Sequence, residues 1–323
     1  MQFLDAATIR KRLDWPRMIR ALEEALRSDI HAPVRVNHSI EVPGRAPGSL
    51  LLMPAWQIGG KIGVKLVTVM PGKESRSVSA VYVLFDGISG VPLMMMDGEE
   101  LTARRTAGAS ALAAMHLART DARHLVMVGS GRQSAGLVAA HASVRPIERI
   151  TIWSRTSGQA DHAAKMHRAA GLDASAADDL EKAVREADIV SCATLSTAAI
   201  VRGEWLRAGT HVDLVGAFKA DMRETDDEVM RRAGCIVVDD RAAALAEGGD
   251  VVQALASGAI SADAIAGDLR DLVRGTIAGR SGPQQITVFK SVGFALEDLA
   301  AAKAVFDADA SAAHTSHASA HSV

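Results

Sequence analysis

Apolar residues recur at helical spacing near the start of the chain. Within residues 5–30, Leu13, Ile19, Leu22 and Leu26 follow one another at this spacing among mixed charges. Such a pattern is typical of an amphipathic helix that buries one face. We therefore predict that the chain opens with a helix over residues 5–30.

From Val34 onwards the pattern changes to short stretches rich in β-branched residues, separated by turns that contain Gly and Pro. Stretches of this kind predict strands. The predicted strands are Ser49–Met53, Lys61–Val69, Ser79–Phe85 and Val91–Met96. An Ala-rich helix over residues 102–118 is predicted to follow them.

The second half of the chain alternates apolar strands with helices. Helices are predicted at residues 133–143 and 178–186. The strands are His124–Val128, Arg149–Trp153, Asp188–Ala193, His211–Val215 and Cys235–Val238. Strands that alternate with helices favour a parallel, doubly wound sheet. The predicted fold class is α/β, with a Rossmann-type doubly wound parallel sheet and an N-terminal α+β domain.

These elements predict two domains. Residues 1–118, with a last helix at 295–306 returning to them, form a substrate-binding and dimerisation domain, and residues 119–294 form a dinucleotide-binding domain. The remaining segment, 307–323, is rich in Ala, Ser and His and is predicted to be disordered. Its histidines could chelate a metal, but a solvated tail is the favoured interpretation, and no metal site is predicted.

The composition narrows the class of protein. The chain is 48% hydrophobic and 23% charged, with a net charge of −2 and only 3% aromatic residues. Nucleic-acid and membrane-surface partners favour strongly basic surfaces, so neither is expected. The two cysteines lie in apolar segments, as expected of a reduced protein. Because no signal peptide or long apolar run is evident, a cytoplasmic protein is expected.

The segment Val126–Ser134 joins an apolar strand to a helix through a glycine turn that reads G-x-G-x-x-S. The first Gly permits a tight turn, the second admits a pyrophosphate close to the backbone, and a small third residue lets helix and strand pack. The expected cofactor-binding residues here are Gly129, Ser130, Gly131, Arg132, Gln133 and Ser134. An ordinary βα turn without a ligand is the alternative.

The next strand ends at Trp153 and is followed by Ser154, Arg155 and Thr156, where an NAD enzyme usually carries Asp or Glu. A guanidinium and two hydroxyls suit the 2′-phosphate of NADPH. NADPH is therefore the favoured cofactor, with use of both NADPH and NADH as the alternative.

Three basic residues of the first domain are candidates for binding an anion. Lys65 lies in a nearly continuous apolar strand, where an ammonium is costly unless it is paired. Arg105 follows Arg104 near a predicted helix start, where positive charge opposes the helix dipole. Together with Arg35, they could hold a substrate carboxylate. Solvated surface positions are the alternative for each.

The segments Leu101–Ala107, Gly129–Ser134 and Ile286–Gly293 together resemble the ornithine cyclodeaminase/mu-crystallin family. The resemblance spans about residues 30–305 and implies a homodimer that binds a nicotinamide cofactor. It places the substrate carboxylate at Arg35, Lys65 and Arg105. It also implies cofactor contacts at Ser77, Arg105, Thr106, Thr194, Val215, Gly216 and Ser291.

Two positions depart from the pattern of ornithine cyclodeaminases. Leu51 occupies the position at which ornithine cyclodeaminases share an acidic residue. Phe218 occupies the position of their Asp, which is expected to interact with the terminal amine of the substrate. Cyclodeamination needs a base to deprotonate that amine. The two missing carboxylates argue against ornithine cyclodeaminase activity. With Phe218-Lys219 at this place and Ser154-Arg155-Thr156 after the second strand, the chain resembles the ketimine reductases of the family. This resemblance implies reduction of a cyclic α-imino acid to an L-amino acid such as proline, with Phe218 as an apolar wall.

In this hypothesis Lys65 or an ordered water donates the proton. Three other enzymes remain as alternatives: an alanine dehydrogenase, a reductase of a linear imino acid that uses Arg45 or Lys73, and an ornithine cyclodeaminase. A ligand-binding protein of the mu-crystallin type, dependent on NADPH but without turnover, is the remaining alternative.

Overall fold

The computed structural model describes residues 2–70 and 78–319, with side chains described as far as residue 308. The chain forms two compact units, one made of Met1–Arg105 with Phe294–Val323 and the other of Thr106–Gly293. The first unit thus ends at Arg105, inside a helix that the sequence analysis assigned wholly to the first domain. No described helix is both long and apolar enough to span a membrane.

The first unit is built on a seven-stranded sheet. Its strands are β1 (Gln2–Leu4), β2 (Ile30–His31), β3 (Val36–Ile40), β4 (Gly48–Gln57), β5 (Lys61–Val69), β6 (Val78–Asp86) and β7 (Pro92–Asp97). The order is β1-β7-β6-β5-β4-β2, with β3 also pairing β4. Among the described strands of this sheet, β1 pairs with β7 in parallel and the other pairs are antiparallel.

The N-terminal helical region contains two helices, α1 (Ala6–Arg12) and α2 (Trp15–Arg27), so the prediction of one helix is wrong at this point. Asp14 caps α2 by accepting a hydrogen bond from the Arg17 amide at 2.8 Å, and Pro16 lies in its first turn. Proline lacks the amide hydrogen that a continuous helix would use, and its ring would clash with the preceding turn. The break therefore has a local cause.

The helix α3 (Gly98–Leu117) begins earlier than predicted, because Asp97 accepts a hydrogen bond from the Glu100 amide at 2.8 Å. Arg104 and Arg105 consequently lie beyond its first turn, where the helix dipole does not by itself require a bound anion. The last helix, α11 (Ala295–Ser319), continues past the predicted end at residue 306. Residues 307–319 are helical rather than disordered, consistent with their Ala content and lack of Gly and Pro.

The second unit is an eight-stranded parallel sheet with helices between its strands, so the predicted fold class is confirmed. The strands are β8 (His124–Val128), β9 (Arg149–Trp153), β10 (Ala174–Ala176), β11 (Ile189–Cys192), β12 (His211–Leu214), β13 (Cys235–Val238), β14 (Ile265–Asp268) and β15 (Thr287–Lys290). The helices are α4 (Arg132–Val144), α5 (Ser157–Ala169), α6 (Leu180–Glu186), α7 (Asp227–Arg232), α8 (Arg241–Glu247), α9 (Gly249–Ala256) and α10 (Leu269–Arg274).

The strand order of this sheet is β10-β9-β8-β11-β12-β15-β13-β14. From β8 the chain adds β9 and β10 towards one edge of the sheet. It then returns to β11, beside β8, and adds the later strands towards the other edge. The reversal creates a switch point between β8 and β11, where the loops at the carboxyl ends of the strands diverge. Ligands of open α/β sheets bind at such points.

Candidate cofactor and substrate sites

The loop after β8 has the backbone that a dinucleotide turn requires. Gly129 has a φ of 115°, which L side chains rarely adopt, and an added Cβ would lie 2.7 Å from the Ala193 carbonyl oxygen. Glycine is therefore required both by the turn and by the close approach of the chain after β11. This contact places the first glycine of the motif at the switch point of the sheet.

The amino end of α4 is shaped to receive an anion. Gly131 is its N-cap, without a side-chain cap, and a Cβ there would meet nothing within 4 Å. The buried Ser134 donates its hydroxyl hydrogen to the Gly131 carbonyl at 2.7 Å. In the described part of the chain, the buried Oε1 of Gln133 has no hydrogen-bond partner. An open helix N-terminus, with its free amide hydrogens and the positive end of the helix dipole, fits a dinucleotide pyrophosphate.

The loops after β8 and β9 meet through two hydroxyls. Ser130 donates to Ser154 at 3.0 Å, while Arg155 and Thr156 are exposed at the start of α5. Thr156 is the N-cap of that helix and makes no side-chain capping bond. The Arg155 guanidinium, the Thr156 hydroxyl and the amino end of α5 are thus adjacent in the chain. They follow the strand end at which dinucleotide enzymes bind the ribose of the cofactor.

The hydroxyls of two residues predicted to line the nicotinamide are engaged inside the unit. Thr194 donates to Glu224 at 2.9 Å, and Ser291 donates to Asp239 at 3.0 Å. Val215 continues from β12 and is almost fully buried, and the Gly216 amide donates to Glu224 at 2.7 Å. The ends of β11, β12 and β15 are therefore held by buried carboxylates.

The first unit contains a buried ion cluster on its sheet. Lys65 is 2% exposed, and its Nζ lies 2.8 Å from Oδ2 of Asp298. Asp298 also accepts a hydrogen bond from Nε of Arg105 at 3.1 Å, and Glu297 accepts one from Nη1 of Arg105 at 2.6 Å. The Lys65 ammonium is therefore not solvated, and it has a carboxylate partner within the protein besides the substrate carboxylate that the sequence predicts.

Electrostatics within this cluster adjust the acidity of Lys65. Burial lowers the pKa of Lys65, Asp298 opposes the change, and the nearby charges of Arg105 and Arg35 lower it further, to about 8. Burial also opposes ionisation of Asp298, but Lys65 and Arg105 more than offset this and hold the pKa of Asp298 below its usual value. A lysine of this acidity is mainly an ammonium at neutral pH and can release a proton at modest cost.

The remaining basic and hydroxyl residues that the sequence predicts near the substrate or cofactor differ in burial and in their contacts. Arg35 is half-buried and close enough to act on the charge of Lys65, and Thr106 is 5% exposed on α3. Ser77 lies outside the described residues. Arg104 turns away from Arg105: its Nη2 donates to the carbonyl of Arg10 at 2.9 Å.

The two positions without a carboxylate are apolar in the structure as well. Leu51 lies on β4, two residues before Met53, which pairs directly with Lys65. Since alternate residues of a strand share a face, Leu51 lies on the sheet face that carries Lys65. Phe218 follows β12 and is 39% exposed. Neither position supplies a base.

Sequence reasoning missed the acidic partners of these sites. Glu297 and Asp298 stand together in an apolar segment at the start of α11 and are fully buried. Glu224 and Asp250 are equally buried near Lys290, which ends the strand β15, whereas Lys65 lies in the middle of β5. The sequence signal that could have identified these buried carboxylates is the presence of charged residues within apolar segments. Among the described residues, no three His, Cys, Asp or Glu side chains form a metal-binding group.

The chain matches known proteins across both units. The sequence profile of the ornithine cyclodeaminase/mu-crystallin family matches residues 2–313. The Δ1-pyrroline-2-carboxylate reductase of Paracoccus denitrificans is 40% identical over 302 residues, which cover 92% of this chain and 94% of the relative. The structure of Thermococcus litoralis Δ1-pyrroline-2-carboxylate reductase in complex with NADH and L-proline is 31% identical, with a TM-score of 0.90 and coverage of 97% and 98%.

A second solved structure, an archaeal alanine dehydrogenase dimer with bound NAD, is 29% identical to the chain. Its TM-score is 0.87, and the match covers 96% of each chain. The similarity therefore extends beyond the dinucleotide-binding half to the unit that carries the Lys65 cluster.

Proposed function

The chain belongs to the ornithine cyclodeaminase/mu-crystallin family, and we propose that it reduces a cyclic α-imino acid to the L-amino acid. The substrates are Δ1-pyrroline-2-carboxylate, which would give proline, and Δ1-piperideine-2-carboxylate, which would give pipecolate. The predictions of the family, of a nicotinamide-dependent oxidoreductase acting on imines and of a nicotinamide cofactor are confirmed. The identity of the imine is the proposal.

The observation that carries the proposal is the buried cluster around Lys65. Arg105 and Lys65 are fixed by Asp298 at 3.1 Å and 2.8 Å, so neither cation has to be ordered when a substrate arrives. Preorganised cations suit a carboxylate, and an arginine can bind it through two parallel hydrogen bonds. Arg35, near Lys65 in the same unit, would complete the binding of the substrate carboxylate.

The nicotinamide, when bound, supplies the hydride that adds to the imine carbon. The nitrogen must gain a proton as the C=N bond becomes a C–N bond, unless the imine arrives already protonated. Lys65 is the proposed donor, because its pKa of about 8 keeps it mainly protonated at pH 7. Ordered water remains the alternative donor.

The absence of carboxylates at Leu51 and Phe218 supports reduction over cyclodeamination. An amine that attacks an imine within the same molecule has to be deprotonated first, and these two side chains cannot accept a proton. Phe218 would instead present an apolar wall to the ring of a cyclic substrate. Oxidation of NADPH or NADH that depends on a cyclic imino acid tests this function. A purified chain that oxidises neither cofactor with either ring would not have it.

We infer that NADPH is the preferred cofactor, because Arg155 and Thr156 stand at the amino end of α5 without a carboxylate. Replacing Arg155 with Ser should weaken NADPH binding about tenfold and leave NADH binding within twofold, since only NADPH carries the 2′-phosphate. Titration of cofactor fluorescence measures both constants. The matched control is Arg168→Ser, at the far end of α5, which should change neither. Equal weakening of NADH and NADPH by Arg155→Ser would contradict the inference.

We infer that the chain forms a homodimer through the outer face of the first unit's sheet. Pro54, Val64, Val83 and Met95 lie directly opposite one another across four strands, on the face away from Lys65, and remain partly exposed. A row of apolar residues across a sheet face is suited to burial against a second copy. The archaeal alanine dehydrogenase with a similar fold is a dimer.

Sedimentation equilibrium tests this assembly and should give twice the 33.9 kDa mass of the chain. Val83→Glu should yield the monomer, because it places a charge in the centre of the proposed interface. Ile88→Glu, in the exposed turn after β6, is the control and should remain dimeric. A wild-type chain that sediments as a monomer would rule the interface out.

A further inference from the structure

A single buried carboxylate joins the ends of two neighbouring strands in the second unit. Glu224 is fully buried, and its Oε1 accepts hydrogen bonds from the amide of Thr194 at 2.6 Å and from its hydroxyl at 2.9 Å. Its Oε2 accepts from the amides of Gly216 at 2.7 Å and Ala217 at 3.3 Å. Glu224 thus holds the loop after β11 and the loop after β12 with its two oxygens.

The loop after β11 and the loop after β12 can approach each other because residue 216 is a glycine. A Cβ at Gly216 would overlap both the backbone of Thr194 and Oε1 of Glu224. Only glycine leaves room for the carboxylate to reach both strand ends. The residues that follow these donors, Leu195 and Phe218, are 77% and 39% exposed. The loops therefore present apolar side chains outward from a rigid, hydrogen-bonded base.

Glu224 is itself held by charged neighbours. Asp250 accepts hydrogen bonds from the Glu224 and Thr225 amides, each at 2.9 Å, and from Nζ of Lys290 at 3.3 Å. Burial raises the pKa of Glu224 to about 7, Lys290 limits the rise, and Asp250 adds to it. Two buried carboxylates against one buried ammonium are costly to maintain. Such a cost is commonly found where a site needs a fixed geometry.

We propose that Glu224 is a positioning residue for hydride transfer, which fixes the loops bearing Leu195 and Phe218 where the nicotinamide and the substrate ring rest. This inference deepens the proposed imine reduction and rests on it. The carboxylate does not touch the reacting atoms. It acts through the amides of Thr194, Gly216 and Ala217.

Glu224→Gln tests the role with almost no change of volume. An amide has one acceptor oxygen and one donor NH₂ group, so it cannot accept from both loops, and one loop is released. The kcat for imine reduction should fall about thirtyfold to a hundredfold, since a displacement of about 1 Å costs this much. The dissociation constant for NADPH should change less than about threefold. With NADPH deuterated at C4, the isotope effect on kcat should rise as hydride transfer becomes slower.

Asp213→Asn is the matched control. Asp213 is equally buried in β12 and accepts hydrogen bonds from the side chains of Ser110 on α3 at 2.8 Å and Ser191 on β11 at 2.6 Å, whereas Glu224 accepts from the backbone amides of the two loops. Asp213→Asn should lower the melting temperature but leave the isotope effect unchanged. If Glu224→Gln does not fold, Thr194→Val, which removes one of the four donors, should show the same isotope effect in weaker form.

A readout independent of turnover separates this inference from the proposed function. NADPH bound to wild-type protein should show enhanced nicotinamide fluorescence, and Glu224→Gln should lose most of the enhancement at saturating NADPH. That result without imine turnover in the wild-type protein would overturn the proposed function and leave the loop-positioning part standing. An unchanged enhancement and isotope effect in Glu224→Gln would overturn the inference, as would loss of NADPH affinity.

Discussion

Lys65→Met should lower kcat/KM for the cyclic imine about a thousandfold, while the NADPH dissociation constant stays within about twofold. The ammonium has two roles in the proposed reaction, binding the substrate carboxylate and donating the proton. General acid catalysis alone contributes about 10²-fold to 10⁴-fold, and loss of a charged hydrogen bond to the carboxylate adds to this. Cofactor fluorescence reports on the dinucleotide-binding unit, whereas Lys65 belongs to the first unit.

The control for this substitution lies on the same strand. Lys61 is partly exposed, and its Nζ is 3.0 Å from Oδ2 of Asp86, so Lys61→Met should leave kcat/KM within about threefold, since partly exposed ion pairs contribute little. Lys65→Arg keeps the positive charge but is far too weak an acid to donate a proton. It should restore part of the binding, seen in KM, but little of kcat.

The pH dependence of the wild-type rate should identify the same group. The pKa of Lys65 is lowered to about 8, so the ammonium is present below this pH and lost above it. Imine reduction should therefore slow as the pH rises through about 8, and oxidation of the amino acid, which needs the neutral amine as base, should accelerate. A Lys65→Met protein with near wild-type turnover, or a wild-type rate that is level to pH 10, would show that water is the proton donor.

Features encoded within a few residues could be predicted from the sequence. The Val126–Ser134 turn follows from glycine geometry, and the structure has the strand, the positive φ at Gly129 and the helix start where the motif requires them. The strands β8, β9 and β13 have the predicted bounds. Their apolar residues and flanking turns are local signals, and tertiary contacts do not override them.

Features that depend on distant contacts could not be predicted in the same way. The sequence shows that a buried Lys65 needs an anion, but its partner Asp298 is 233 residues away, and no spacing rule connects the two. Likewise, the hydroxyls of Thr194 and Ser291 donate to Glu224 and Asp239, and no local pattern connects either hydroxyl to its carboxylate. The cost of burying a charge can be read from the sequence, whereas the group that balances it depends on the fold.

Strands that are very short, or that contain polar residues among the apolar ones, are also not predicted by the sequence pattern. The pair of residues in β2 and the three in β10 are too few to show a period. β15 was noted as a motif but not as a strand, although it pairs with both β12 and β13. It has only four residues, with the polar Thr287 and Lys290 at its two ends, so it lacks the apolar run that a central parallel strand usually shows.

Leu51 and Phe218 should determine which reaction the chain catalyses, reduction of a cyclic imine or cyclodeamination of ornithine. With no carboxylate at either position, the chain should turn over a cyclic imine at least about a thousandfold faster, in kcat/KM, than it converts ornithine, because the base that cyclodeamination requires is missing. Pyruvate with ammonia should also react slowly, since the free amine has to be bound as well. Iminosuccinate should be poor without a further cation for its second carboxylate.

The most direct test is a side-by-side steady-state assay of NADPH and NADH oxidation. It compares Δ1-pyrroline-2-carboxylate and Δ1-piperideine-2-carboxylate with iminosuccinate and with pyruvate plus ammonia, and it measures NAD reduction by ornithine in parallel. We expect rapid oxidation with at least one ring and no detectable reaction of ornithine. Inactivity on both rings, together with turnover of ornithine or of pyruvate plus ammonia, would contradict this expectation.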